Sequence, residues 1–179
     1  TQHPKLFENE KFLNSLRISR WHIYISCVND MSIFIASICA KDYDYSNIKA
    51  YKLAKYLSLT IFKKIKQNDF PSELALLPVI ESAYDPLAYS QSHASGLWQF
   101  IPSTAKYLGL ERSLWFDARR DVVESTNVAI DYLKYLNQRF SNDWLLTLAA
   151  YNGGEGTLSK AIQKNKQNSK NTQFWGLEL

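Results

Sequence analysis

Apolar positions recur along this chain at intervals of three and four, the period of helices rather than of strands. Ile48, Tyr51, Lys52, Lys55, Leu59 and Phe62 alternate faces at that spacing and predict a helix capped by Asp44 or Ser46. Pro71 fits the first turn of a second helix, which carries Leu74, Leu77, Ile80, Glu81 and Tyr84. Pro78 predicts a kink in it, or an irregular turn ahead of it, and Pro86 ends it by Asp85. Ser95 reads as the cap of a short helix through Ile101. Another helix opens at Pro102, runs from Ser103 to Leu108, and is stopped by Gly109.

Asp121 and Glu124 have the spacing of a capping box for a long helix to Arg139, with Val123, Ala129 or Ile130, Leu133 and Leu136 facing inward. Asp143 starts the helix "DWLLTLAAY", which ends at Gly153 and Gly154. Residues 155–164 read as one more helix, and the Lys/Asn/Gln-rich tail after Asn165 as loop. No alternating strand pattern occurs. The expected class is all-α, a compact domain of about seven to nine helices.

Composition narrows this picture. A length of 179 residues suits one domain, or one domain with a small extension, and 46% hydrophobic content is enough for a core. Eleven Tyr and five Trp make the chain 14% aromatic. Core packing accounts for most of these, Trp115 and Trp144 included. Trp and Tyr also make flat surfaces for ligands, sugars among them; Tyr84 and Tyr107 suit a cleft wall and the interior equally. The net charge is +4, with a pI near 8.9 and scattered Lys and Arg. The densest run, Lys63, Lys64 and Lys66, sits at a helix end, where solvated cations are favoured. No nucleic-acid partner is expected, although mild positive charge attracts any anionic polymer.

Cys27 and Cys39 form no CxxC pair, and His3, His22 and His93 are isolated, so neither a metal nor a cofactor is expected. The two cysteines fit one disulfide or two buried thiols. Residues 23–40 form the most apolar stretch, but Asn29 and Asp30 interrupt it, so it reads as packed core rather than a membrane span. The chain begins at Thr1 with no charged-then-apolar leader, so no signal peptide is expected in it.

Candidate chemistry concentrates in residues 76–100, "LLPVIESAYDPLAYSQSHASGLWQF". Glu81 follows five apolar residues at the end of its helix. The helix dipole and the apolar surroundings both disfavour its ionised form, which suits a general acid held protonated near neutrality. A surface Glu on an amphipathic helix is the competing reading. "SGLWQF" adds a Gly that permits close approach, a Trp platform, and in Gln99 a neutral donor and acceptor. "AAYNGGEG" places Tyr151 and Asn152 at a helix end, as a cap or at the rim of a cleft.

Four ordered blocks, "ELALLPVIESAYDPLAYS", "ASGLWQFIPSTAKYLGL", "WFDARRDVVEST" and "DWLLTLAAYNGGEGTLSKAI", resemble the lytic transglycosylases of the soluble-lytic-transglycosylase type, above all their membrane-bound D-type group. The resemblance spans roughly residues 70–179. It implies a lysozyme-like helical catalytic domain over 70–179, with 1–69 as an N-terminal helical segment packing on it. It also implies cleavage of the β-1,4 bond between N-acetylmuramic acid and N-acetylglucosamine, with a 1,6-anhydro product. Glu81 then falls on the single acid/base. Ser90, Gly96, Trp98, Gln99, Tyr151 and Asn152 fall on substrate-binding or orienting positions. No second carboxylate is needed where the substrate's own acetamido group assists.

The implied partners are peptidoglycan glycan strands, and the implied form is a monomer. The implied location is the bacterial cell envelope, in the periplasm, with any outer-membrane anchor on a segment outside this sequence. Two other readings follow. A muramidase-type hydrolase would use Asp85, which reads more simply as the turn residue before Pro86. A non-catalytic peptidoglycan-binding protein would keep the cleft without the chemistry. Arg119 and Arg120 are expected in structural salt bridges rather than on substrate, and His93 in an exposed loop. Trp98 stands where many members of the family have Met. Members also continue into a Tyr-containing helix beyond the position of Leu179, so the C-terminal end is expected to be truncated.

Overall fold

A computed structural model describes residues 48–178. The apolar stretch 23–40, both cysteines, His3, His22 and the proposed caps Asp44 and Ser46 lie outside the described residues. Of the described residues, those up to Ala129 fall in one compact unit and those from Ile130 in another. The described residues are helical with turns and isolated bridges, and none lies in a strand.

In the first unit, α1 spans Ile48–Gln67. Its buried face is Ala54, Leu57, Ser58, Ile61 and Ile65. That stripe is rotated by about one residue from the expected one, for Leu59 is exposed and Phe62 only partly buried. The face packs on a 3-10 helix at Ser72–Leu76, whose Leu74, Ala75 and Leu76 are buried. The α2 helix follows directly as Leu77–Ser82. The sequence suggested one helix through 71–85. Of the two outcomes expected at Pro78, the irregular turn ahead of it is the one found: Pro78 sits in the first turn of α2, where its missing N–H costs nothing, and the chain changes helix type before it rather than kinking.

Residues 85–100 form a loop of turns and bridges, in which Ser95 bridges both Tyr89 and Phe100. The helix expected from Ser95 to Ile101 does not form. Gly96 and Gln99 have φ of 82° and 48°, in the left-handed region that an α-helix cannot use. Helix α3, Pro102–Tyr107, starts at its proline, and a 3-10 turn at Ala118–Arg120 precedes α4, Val122–Arg139. Asp121 caps α4 by accepting the N–H groups of Val123 and Glu124 at 2.9 and 2.8 Å. Asp121's own N–H goes to the Ala118 carbonyl, so the capping box lacks its reciprocal half. Ala129, Ile130, Leu133 and Leu136 are buried as expected, whereas Val123 is 66% exposed.

The second unit holds the rest of α4, then α5, Trp144–Gly153, and α6, Glu155–Gln167. Asp143 caps α5 by accepting from Leu145 and Leu146. Leu146 to Ala150 are buried in succession, and α5 packs on α6. The tail is more ordered than its composition suggested: α6 continues to Gln167, and a 3-10 turn at Phe174–Gly176 packs on α5. Asn165 pins this tail by donating to the carbonyls of Asn171 and Gly176 at 2.6 and 2.7 Å.

Candidate active site

Glu81 is the next-to-last residue of α2 and is partly buried. The chain leaves α2 abruptly. Ala83 and Tyr84 both take positive φ, 51° and 60°, which is uncommon for residues with a Cβ. This exit is anchored on both sides. The N–H groups of Ala83 and Tyr84 donate back to Val79 and Pro78, and the buried Tyr84 hydroxyl donates to the Ala75 carbonyl. Tyr84 therefore packs inside, while Tyr107 is exposed. Desolvation pushes the Glu81 carboxyl up from an ordinary 4.5 to about 7. Near neutrality this carboxyl holds a proton about half the time, the condition in which one group can donate it and later take another.

Ser82, the residue after Glu81, joins α2 to the 85–100 loop. Its hydroxyl lies 3.0 Å from both the Pro78 carbonyl of its own helix and the Leu97 carbonyl of the loop. Sequence reasoning passed over this residue; the only signal for it was a small hydroxyl at the end of an apolar run.

The loop is held mainly from within and from beneath. Ser90 Oγ accepts the Ala94 N–H at 3.1 Å, and Ser90 and Ala94 also exchange a backbone bond. Gly96 is required by close approach: a Cβ there would lie 1.8 Å from the Arg119 carbonyl oxygen. Gln99 is partly buried, and its amide donates to the Gly96 carbonyl at 2.8 Å and the Ala88 carbonyl at 3.3 Å. Its donor side thus shapes the loop. Trp98 corrects the expectation of a sugar platform. Its ring is 0% exposed and its indole N–H donates to Thr126 Oγ1 at 3.0 Å, so it supports the loop from inside.

Arg119 is the hub beneath this loop. It is 1% exposed, grips Asp117 with Nε and Nη2 at 2.8 and 2.7 Å, and donates through Nη1 to the carbonyls of His93 and Phe100. Its hydrogen bond holds the Asp117 carboxyl below its ordinary 3.8 despite partial burial. The structural salt bridge expected of Arg119 is present. Arg120 behaves differently: it is exposed, its Nε donates to Ser95 Oγ at 3.1 Å, and its guanidinium lies 5.9 Å from the Tyr89 ring centre. His93 is exposed, with Nδ1 2.6 Å from the Tyr89 hydroxyl. Asp85 is exposed and accepts the Leu87 N–H at 2.8 Å, the turn role expected before Pro86.

Tyr151 and Asn152 belong to the second unit, in the last turn of α5, with Gly154 as C-cap. The Tyr151 ring is 5.9 Å from that of Tyr132, and Asn152 is exposed. Trp144 is only partly buried, short of the core position expected of it. No group of His, Cys, Asp and Glu that could hold a metal occurs among the described residues.

The described residues are thus helical, and the desolvated Glu81 carboxyl is followed by Ser82, which links its helix to the hydrogen-bonded loop of Ser90, Gly96 and Gln99. Residues 58–174 match the family described as "Transglycosylase SLT domain", and the chain belongs to that family and to its lysozyme-like all-α fold. It is 52% identical over 116 residues to "Membrane-bound lytic murein transglycosylase D" of Escherichia coli (strain K12), covering 65% of this chain and 26% of that protein. A protein of Alteromonas sp. (strain M-1) named "Putative tributyltin chloride resistance protein" is 46% identical over 110 residues, 60% of this chain and 53% of that protein. "Soluble lytic murein transglycosylase" of Escherichia coli (strain K12) is 34% identical over 80 residues, 42% of this chain and 12% of that protein. The chain therefore spans about a quarter of the first relative and about half of the second.

Proposed function

We propose that this chain carries the catalytic chemistry of a peptidoglycan lytic transglycosylase, with Glu81 as its single acid/base. The observation that carries the reading is the Glu81 carboxyl itself, raised to about 7 by burial alone. Protonated Glu81 gives its proton to the glycosidic oxygen between N-acetylmuramic acid and N-acetylglucosamine, and the C1–O bond breaks. The acetamido oxygen of the muramic residue closes on C1 and carries the developing charge, which dispenses with a second carboxylate. Ionised Glu81 then takes the proton of the same sugar's C6 hydroxyl as that oxygen attacks C1 and the acetamido oxygen leaves. The product is a 1,6-anhydro ring, and water is not consumed.

In this reading the loop of Ser90, Gly96 and Gln99 borders the sugar beside Glu81, with Trp98 supporting it from within. Tyr151 and Asn152, which match the family's "AYN" block, take substrate-binding roles. Asp85 is committed to its turn, which counts against a water-activating role in a hydrolase. The names of the relatives support murein as the substrate, and the proposed location is the bacterial cell envelope, in the periplasm. No helix among the described residues is long and apolar enough to cross a membrane. The acting form is a monomer. The test is Glu81→Gln, assayed by solubilisation of purified peptidoglycan. Loss of at least about a hundredfold in rate is expected for removal of the acid/base; retained cleavage would dismiss the assignment.

A further inference from the structure

The segment between α3 and α4 takes no part in the chemistry assigned to Glu81, yet it displays large apolar side chains to solvent. Leu114 is 96% and Trp115 95% exposed, against the core position expected for Trp115. Their turn is well tied. Arg112 and Asp117 bridge at its base, and the Ser113 N–H donates to the Phe116 carbonyl at 2.7 Å. Ser113 Oγ accepts the N–H groups of Trp115 and Phe116 at 3.2 and 3.0 Å. A tied turn that shows bulky apolar groups gains nothing for folding from them, which points to a ligand.

Beside the turn lies a cleft of about 510 Å³, lined by Arg112, Leu114, Trp115, Phe116, Asp117 and Arg120 among others. That volume is in the range of small-ligand sites. Its acidic groups are engaged: Asp117 is paired with Arg119 and Arg112, and Asp121 caps α4. Arg120 contributes a guanidinium whose Nε is tied to Ser95. The cleft thus joins aromatic faces, which suit the apolar faces of sugars, to a cation that suits a carboxylate. Arg120's contacts with Ser95 and Tyr89 also link the cleft's lining to the loop that carries Ser90 and Gln99.

We propose that this cleft is an accessory subsite for a peptidoglycan strand, away from the bond that is cut. Trp115 stacks on an N-acetylhexosamine ring, and Arg120 pairs with a carboxylate of a stem peptide. The proposal rests on the reading of the chain as a peptidoglycan-cleaving domain. A lipid surface is the rival ligand for exposed Leu and Trp. A cleft beside Trp115, rather than a flat apolar face, favours the glycan.

Sedimentation with insoluble peptidoglycan tests it, in a Glu81→Gln background that leaves the polymer uncut. Adding Trp115→Ala should raise the apparent Kd about tenfold, the scale of truncating one aromatic anchor at a binding surface. Adding Arg120→Ala should weaken binding to intact peptidoglycan and leave binding to peptide-stripped glycan unchanged. Equal binding with and without Trp115→Ala overturns the subsite, as does a Trp115→Ala defect seen only on phosphatidylethanolamine–phosphatidylglycerol vesicles. Absence of any binding by the Glu81→Gln protein overturns it too. Cleavage by the wild-type chain, measured separately, tests the underlying reading on its own.

Discussion

Replacing Glu81 by Gln should make the protein more stable above neutral pH while removing its proposed chemistry. The carboxyl is pushed by burial from 4.5 to about 7 in the folded chain, and returns to its ordinary value on unfolding. Its favourable contribution is therefore fully present below pH 4.5, and is lost as pH rises through about 7. Between those limits the unfolded carboxyl is ionised while the folded one keeps its proton. Wild-type stability should fall there by about 1.4 kcal/mol per pH unit, reaching a total cost of about 3 kcal/mol. Glutamine carries no charge and avoids that cost. Urea unfolding of both proteins at pH 4, 6 and 8 measures it. The variant should match the wild type within about 0.5 kcal/mol at the lowest pH, and exceed it by about 3 kcal/mol at the highest. A difference that is flat with pH, or that favours the wild type at pH 8, would refute the claim that burial strains the ionised form.

Other consequences follow from the same structure. Because the proposed first step uses protonated Glu81, kcat/KM on a soluble glycan should fall about tenfold per pH unit above about 7; a profile level to pH 9 would contradict this. Arg119→Ala leaves the Asp117 carboxylate and the carbonyls of His93 and Phe100 without their buried donor, and should cost roughly 3–5 kcal/mol in chemical denaturation. Gly96→Ala brings a Cβ to 1.8 Å from the Arg119 carbonyl at a φ that disfavours it, so at least about 2 kcal/mol should be lost; a midpoint close to wild type would mean that the loop is not packed as described.

The parts of this architecture that were readable in the sequence are those set by local signals. Asp121 and Asp143 cap the helices they were expected to start, since an Asx side chain satisfies N–H groups two or three residues on whatever packs around it. Glu81 was readable for a similar reason: five apolar neighbours in sequence already imply a desolvated carboxyl. Tertiary choices were not readable. The inward face of α1 turned by about one residue because the helix seats Ala54, Leu57, Ile61 and Ile65 on the Ser72–Leu76 turn, and a broadly apolar helix offers more than one such stripe.

The two tryptophans reversed their expected places. Trp98 is buried and Trp115 exposed, because a lone aromatic in a loop has no periodicity to set its side. In the 95–101 segment, the short apolar run resembled a helix until the left-handed backbone at Gly96 and Gln99 is taken into account. The roles of Ser82 and Arg119 in holding the loop depend on carbonyls distant in sequence, at Leu97, His93 and Phe100.

The central claim is that Glu81 acts alone and that the substrate's own C6 hydroxyl is the nucleophile. Mass spectrometry of peptidoglycan digested by this chain tests it most directly. The account predicts muropeptides ending in 1,6-anhydro-N-acetylmuramic acid, each lighter by one water than its hydrolytic counterpart, with no oxygen taken up from isotopically labelled water. A majority of products with free reducing ends that carry the labelled oxygen would contradict it.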